Sequence, residues 1–164
     1  MQLLLSDKIY IAIISIILPI SYIYFINRYR KISTNKLWGR ITGNFKLLNT
    51  ISLFIIAIAY LITYFAIINY SKLKQEERVL ILVGYTGFIL FSFLWEPLSF
   101  IYLSGNKSVK YSIILSLGLV ALFALLLFLV IGKLDMNIIS KVAAFYIFFH
   151  TFVFDFIIWN YNFF

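Results

Sequence analysis

The chain has 164 residues, of which 63% are hydrophobic and only 12% charged, with a mean hydropathy of +1.01. Soluble domains are about half apolar and a quarter charged, and a globule of this length could not remove so much apolar surface from water. The composition excludes a soluble enzyme, a disordered segment and a nucleic-acid module, and leaves a single all-α, polytopic membrane domain. Net charge is +8. The basic residues lie mostly between apolar runs, where anionic lipid headgroups such as cardiolipin, or other membrane subunits, are the expected partners. Cysteine is absent, so no disulfide or thiolate chemistry is available.

Five apolar runs of near-spanning length follow one another, and the spacing predicts helices over about 9–26, 47–71, 79–103, 111–132 and 138–161. The period-2 alternation of a membrane barrel is missing. The first run reads as a retained anchor rather than a signal peptide, because its positive charge follows it and no small-residue cleavage site appears. Ser104-Gly105-Asn106 marks the turn between the third and fourth helices, and Asn137 is placed to cap the fifth.

The first loop holds Arg28, Arg30, Lys31, Lys36, Arg40 and Lys46 with no acid, and reads as a site for lipid headgroups or an acidic partner. Loops one and three together carry eight basic residues, against five in loops two and four plus Lys8. The positive-inside rule then puts the N-terminus outside and the C-terminus inside. The aromatic end of the chain, Trp159 to Phe164, reads as an interface belt, as does Trp38 in the first loop.

Glu96, His150 and Asp155 fall inside the apolar runs of the predicted spans. Glu96 sits in the third, on a stripe with Tyr85, Ser92 and Ser99, and Pro97 follows it directly. A carboxylate costs about 2.5–3.5 kcal/mol inside a membrane helix, so it is expected to face protein or water. Its readings are a proton-path group or a neutral carboxyl bonded to a neighbouring helix. Asp155 is in the fifth span and would meet Glu96 if the third and fifth helices pack together. His150, the single histidine, could relay protons or bond a neighbouring helix. In an α-helix, residues five apart stand about 140° apart, so His150 and Asp155 are not expected to pair. No metal spacing, phosphate loop or nucleophile motif appears, so neither a cofactor, a metal nor a catalytic residue is assigned. Gly84 and Gly87 permit close helix packing or a local bulge.

Residues 77–91, Glu77 through Gly84-Tyr85-Thr86-Gly87 to Phe91, resemble the third helix of NADH dehydrogenase subunit 6. That family shares an acid before the helix, a Tyr-x-Gly step, five helices and a similar length. The resemblance implies a mitochondrially encoded, non-catalytic subunit of a proton-pumping oxidoreductase, with Tyr85 and Gly87 at a helix bulge. Composition points the same way: Ile, Phe, Tyr, Lys and Asn supply 78 residues while Ala, Gly, Arg and Pro supply 21, the mark of AT-rich coding. The expected role is a structural, lipid-binding subunit of a respiratory-chain complex in the mitochondrial inner membrane, with the first loop in the matrix and part of a proton path through Glu96, Asp155, His150 and Tyr85. Two alternatives stand beside it. One is a small channel or carrier using Glu96, Asp155 and His150. The other is an intramembrane acid/base enzyme acting on a lipid or sterol.

Overall fold

The computed structural model describes residues 3–32 and 34–164. Among the described residues, five helices are long and apolar enough to cross a membrane: α1 (Leu5–Arg28), α2 (Gly43–Ile68), α3 (Gln75–Leu103), α4 (Lys110–Lys133) and α5 (Ile138–Phe163). Their large outward side chains, such as Leu5, Ile23, Phe54 and Leu115, are more than half exposed, as lipid contact requires and water would penalise. The chain is therefore an all-helical protein compatible with integral membrane insertion.

Helix starts are set by local chemistry. The Asp7 carboxylate accepts from the Leu4 N–H at 2.9 Å, and Glu77 accepts from the Lys74 N–H at 2.8 Å. At α5, Asn137 Oδ1 accepts from both the Ser140 N–H and its hydroxyl, each at 2.9 Å. These bonds satisfy donors that every helix start leaves open. Asp7 also receives two bonds from Arg78, Nε at 2.6 Å and Nη2 at 3.0 Å, which clamps the start of α1 to the start of α3.

Packing order differs from chain order. The most extensive interface is α3 on α4; α4 lies between α3 and α5, α1 rests on α3, and α2 rests on α5. Glycines allow the central contact. A Cβ on Gly84 would stand 2.7 Å from Leu127 Cδ2, and one on Gly87 would stand 2.5 Å from the Phe123 ring. Of the two sequence readings for these glycines, close packing is the one realised. Helix α3 is α-helical without interruption through Tyr85 and Gly87. The bulge expected there is instead a ten-residue π-helical stretch in α5, from His150 to Trp159.

Side-chain donors stand at both ends of that stretch. Thr151 Oγ1 donates to the Ile147 and Phe148 carbonyls at 2.9 and 3.1 Å. Past the far end, the Asn160 and Asn162 amides donate to the Phe156 and Ile158 carbonyls at 2.7 and 2.8 Å. These bonds add side-chain donors to backbone carbonyls on both sides of the change of pitch.

The C-terminal aromatics divide: Tyr161 faces outward, 76% exposed, and Trp159 turns inward. Trp159 is buried, stacks on Phe163 with centroids 4.1 Å apart, and donates from Nε1 to the Leu37 carbonyl at 2.8 Å. The first loop folds over this end: Arg40 donates from its backbone N–H to Asn162 O at 2.9 Å and from Nη2 to Tyr161 O at 2.7 Å. Trp38 packs in the same apolar cluster with Ile41, Ile113 and Leu117. Burial against the loop wins over an interfacial position because the loop supplies the carbonyl that the indole N–H needs.

Candidate functional site

Three sets of buried polar groups involve the residues singled out in the sequence. The central one joins α2 to α5. Ser52 Oγ lies 2.6 Å from Tyr146 OH and 2.6 Å from His150 Nδ1. The other ring nitrogen, Nε2, lies 3.4 Å from Asp155 Oδ1. Ser52 is 3% exposed and His150 is 0% exposed, while the Asp155 side chain is 28% exposed. The result is a single file of groups, Tyr146, Ser52, His150 and Asp155, running from the α2–α5 interface to a partly open carboxylate. Each of the first three can both donate and accept, with the imidazole tautomer setting the direction.

The π geometry makes this file possible. Hydrogen bonding from residue i to i+5 widens the turn and brings residues five apart onto one face. His150 and Asp155, which an α-helix would hold well apart, therefore face each other, and the expectation that they do not pair is corrected. Asp155 Oδ1 is within ion-pair distance of Nε2, but the alignment falls short of a hydrogen bond, leaving Nε2 buried without one. Asn49, one helical turn before Ser52, is also buried with Oδ1 unpartnered. Sequence reasoning overlooked Ser52, Asn49 and Tyr146. The available signal was Asn49 and Ser52 three residues apart in an otherwise apolar helix, which places both on one face.

Glu96 belongs to a second set. It is 3% exposed, Oε2 has no hydrogen-bond partner, and it forms no ion pair among the described residues. Beside it, Trp95 donates from Nε1 to Tyr22 OH at 3.1 Å, and Tyr22 OH donates to the Ser92 carbonyl at 3.2 Å. Glu96 and Asp155 do not hydrogen-bond. At this level α3 and α5 touch through Trp95 edge-on to Trp159, centroids 5.3 Å apart.

Tyr85 is in a third set, about 16 Å along the helix axis from Glu96 by helical rise. Its hydroxyl donates to Thr63 Oγ1 at 3.4 Å, and its ring meets Tyr60 edge-on. Tyr60 in turn hydrogen-bonds Ser15, so this set ties α1, α2 and α3 together. Of the four sequence candidates, His150 and Asp155 come together, Glu96 makes no hydrogen bond or ion pair with either, and Tyr85 belongs to another set.

Among the first-loop cations, Arg40 is engaged by the C-terminal residues and by the Tyr161 ring at 5.6 Å, and Arg28 donates to Tyr24 OH at 2.8 Å. Arg30, Lys31 and Lys36 are exposed. His150 has one carboxylate beside it, and no group of three or more potential metal ligands occurs among the described residues.

Comparison with protein-family models, with characterised proteins and with solved structures finds no significant match to this chain.

Proposed function

We propose that this chain is a non-catalytic membrane subunit that holds part of a proton path inside a larger respiratory-chain assembly. The observation that carries the proton role is the file from Tyr146 through Ser52 and His150 to Asp155. An imidazole can take a proton on one nitrogen and release one from the other, so a hydroxyl on Nδ1 and a carboxylate near Nε2 are the two ends of a relay. Tyr146 and Asp155 are nine residues apart, about 13 Å by helical rise, against about 30 Å of hydrocarbon. The file covers less than half of a crossing, and neighbouring subunits would supply the rest.

The assembly half of the reading rests on the resemblance of residues 77–91, the AT-rich coding bias and the short connections between spans. It places the chain in the NADH dehydrogenase membrane arm of the mitochondrial inner membrane, with its basic first loop in the matrix and exposed Arg30, Lys31 and Lys36 open to acidic partners or anionic lipid.

The same file also supports the channel or carrier reading, in which the protein works alone. The enzyme reading is less favoured: Ser52, His150 and Asp155 are the residue types of a nucleophile, base and carboxylate, but Ser52 is 3% exposed, too buried for a substrate to reach.

The test is to solubilise native membranes in mild detergent and identify what migrates with the chain on a native gel. Co-migration with redox subunits, and slower proton translocation by that assembly in Asp155→Asn, is the expected result. Migration alone, with proton flux in liposomes holding only this protein, would replace the subunit reading with the carrier. Unaltered translocation in Asp155→Asn would remove the proton role.

A further inference from the structure

An open groove runs along the outer seam of α2 and α5, on the far side of the bundle from the first loop. Two cavities of 650 and 340 Å³ make it up, and Ile58, Ile62 and Ile139 line both. The groove is amphiphilic along its length. At the outer end its walls are Asn69, Tyr70, Asp135 and Asn137, from the loops that close this end of the bundle; apart from Ser140 the rest is apolar down to the Tyr146 ring.

Two properties identify the occupant. The first is length. The apolar stretch runs from Phe65 to Ile55 on α2 and from Ile138 to Tyr146 on α5, about 12–15 Å by helical rise, or half of a ~30 Å hydrocarbon core. Beyond it the Ser52, Tyr146 and His150 contacts join α2 to α5. A spanning helix from a partner needs a seat across the whole core, whereas one lipid tail occupies a single leaflet. The second is charge. Asp135 is the one charged residue in the lining, it is exposed, and its carboxylate has neither a hydrogen bond nor an ion pair among the described residues. Asn137 uses Oδ1 to cap α5, which leaves its amide nitrogen to donate. A cationic group with a phosphate beside it matches this pair: ammonium on Asp135, phosphate oxygen on Asn137.

We propose that the α2–α5 groove binds one phospholipid with a primary-amine headgroup, its tail along Ile58, Ile62 and Ile139 and its ammonium on Asp135. The groove meets the proton file at Tyr146, whose ring closes its inner end, but the headgroup contacts at Asp135 and Asn137 do not depend on that file. It also differs in chemistry and membrane side from the cationic first loop, which favours anionic lipid.

The experiment is native mass spectrometry of the full-length protein in nonionic detergent, incubated with phosphatidylethanolamine or phosphatidylglycerol. Wild type is expected to retain one phosphatidylethanolamine per chain, several-fold over phosphatidylglycerol. Asp135→Asn should lose that preference while still holding lipid. Ile58 and Ile139 are 59% and 63% exposed, so Ile58→Trp and Ile139→Trp fill the groove without entering the core, and both should reduce retention several-fold. Leu115→Trp, at an outward position of α4 that is 63% exposed, should not. Equal retention of the two lipids by wild type would overturn the headgroup assignment. Unchanged retention in both groove variants would overturn the site, and if those variants instead broke an oligomer, the groove would be a seat for protein.

Discussion

His150 and Asp155 face each other along one helix, Nε2 to Oδ1 3.4 Å, because the backbone between them is π-helical. The relationship depends on backbone hydrogen bonding and not on side-chain reach: with α pitch the same two residues diverge by about 140°. Ser52 then fixes the ring from the other side at 2.6 Å, so the imidazole is held between two helices.

Ser52 is therefore a position where a small change should be costly. Ser52→Ala removes the shared partner of Tyr146 and His150, leaving buried polar atoms without bonds. Hydrogen bonds between membrane helices average about 0.6 kcal/mol and reach about 1.7, while an orphaned buried group costs about 1–3 kcal/mol. A loss of about 1–2 kcal/mol is expected, measured by reversible unfolding in mixed micelles. Ser112→Ala, at an exposed position on α4, should change stability by less than about 0.5 kcal/mol.

The glycines of the bundle should respond with opposite signs. Gly84→Ala puts a Cβ 2.8 Å from Leu127 Cγ, and Leu127 is itself buried; overpacking of this kind costs about 1–3 kcal/mol. Gly132→Ala meets nothing within 4 Å in the last turns of α4, and removing a glycine from a helix is worth about 0.4–1 kcal/mol. The same unfolding assay checks both; a destabilised Gly132→Ala would contradict the packing described.

The Asp7–Arg78 clamp should control fraying at one end of the bundle. Asp7→Asn keeps the shape but loses the charge that two Arg78 nitrogens contact. Hydrogen exchange is expected to quicken in the first turns of α1 and α3 and to stay unchanged around His150. Uniform quickening along the chain would mean that the clamp supports the whole fold rather than this end.

Much of the architecture is legible in the sequence because a bilayer constrains it severely. Each apolar run longer than about 18 residues has one available structure, and the five expected spans at 9–26, 47–71, 79–103, 111–132 and 138–161 all lie within observed helices, apart from frayed ends such as Asn69 to Ser71. Asn137 is the cap that its position suggests. What sequence spacing cannot carry is pitch and neighbourhood. A face count made at 3.6 residues per turn separates His150 from Asp155, and the π stretch that joins them leaves no mark in the apolar pattern of the fifth span. Trp159 looks like an interfacial anchor in isolation. Its burial depends on a carbonyl of Leu37, 122 positions earlier in the chain. Ser52 is unremarkable among apolar neighbours until α5 is laid beside it.

The central claim is that Ser52, His150 and Asp155 form one connected file. His150 is the only histidine, so the protein labelled with ¹⁵N-histidine in lipid bilayers has a single imidazole to observe by solid-state NMR. The account predicts that Ser52→Ala shifts the Nδ1 resonance and Asp155→Asn shifts the Nε2 resonance. An imidazole spectrum unchanged by Asp155→Asn would place the carboxylate on another face of α5 and contradict the file.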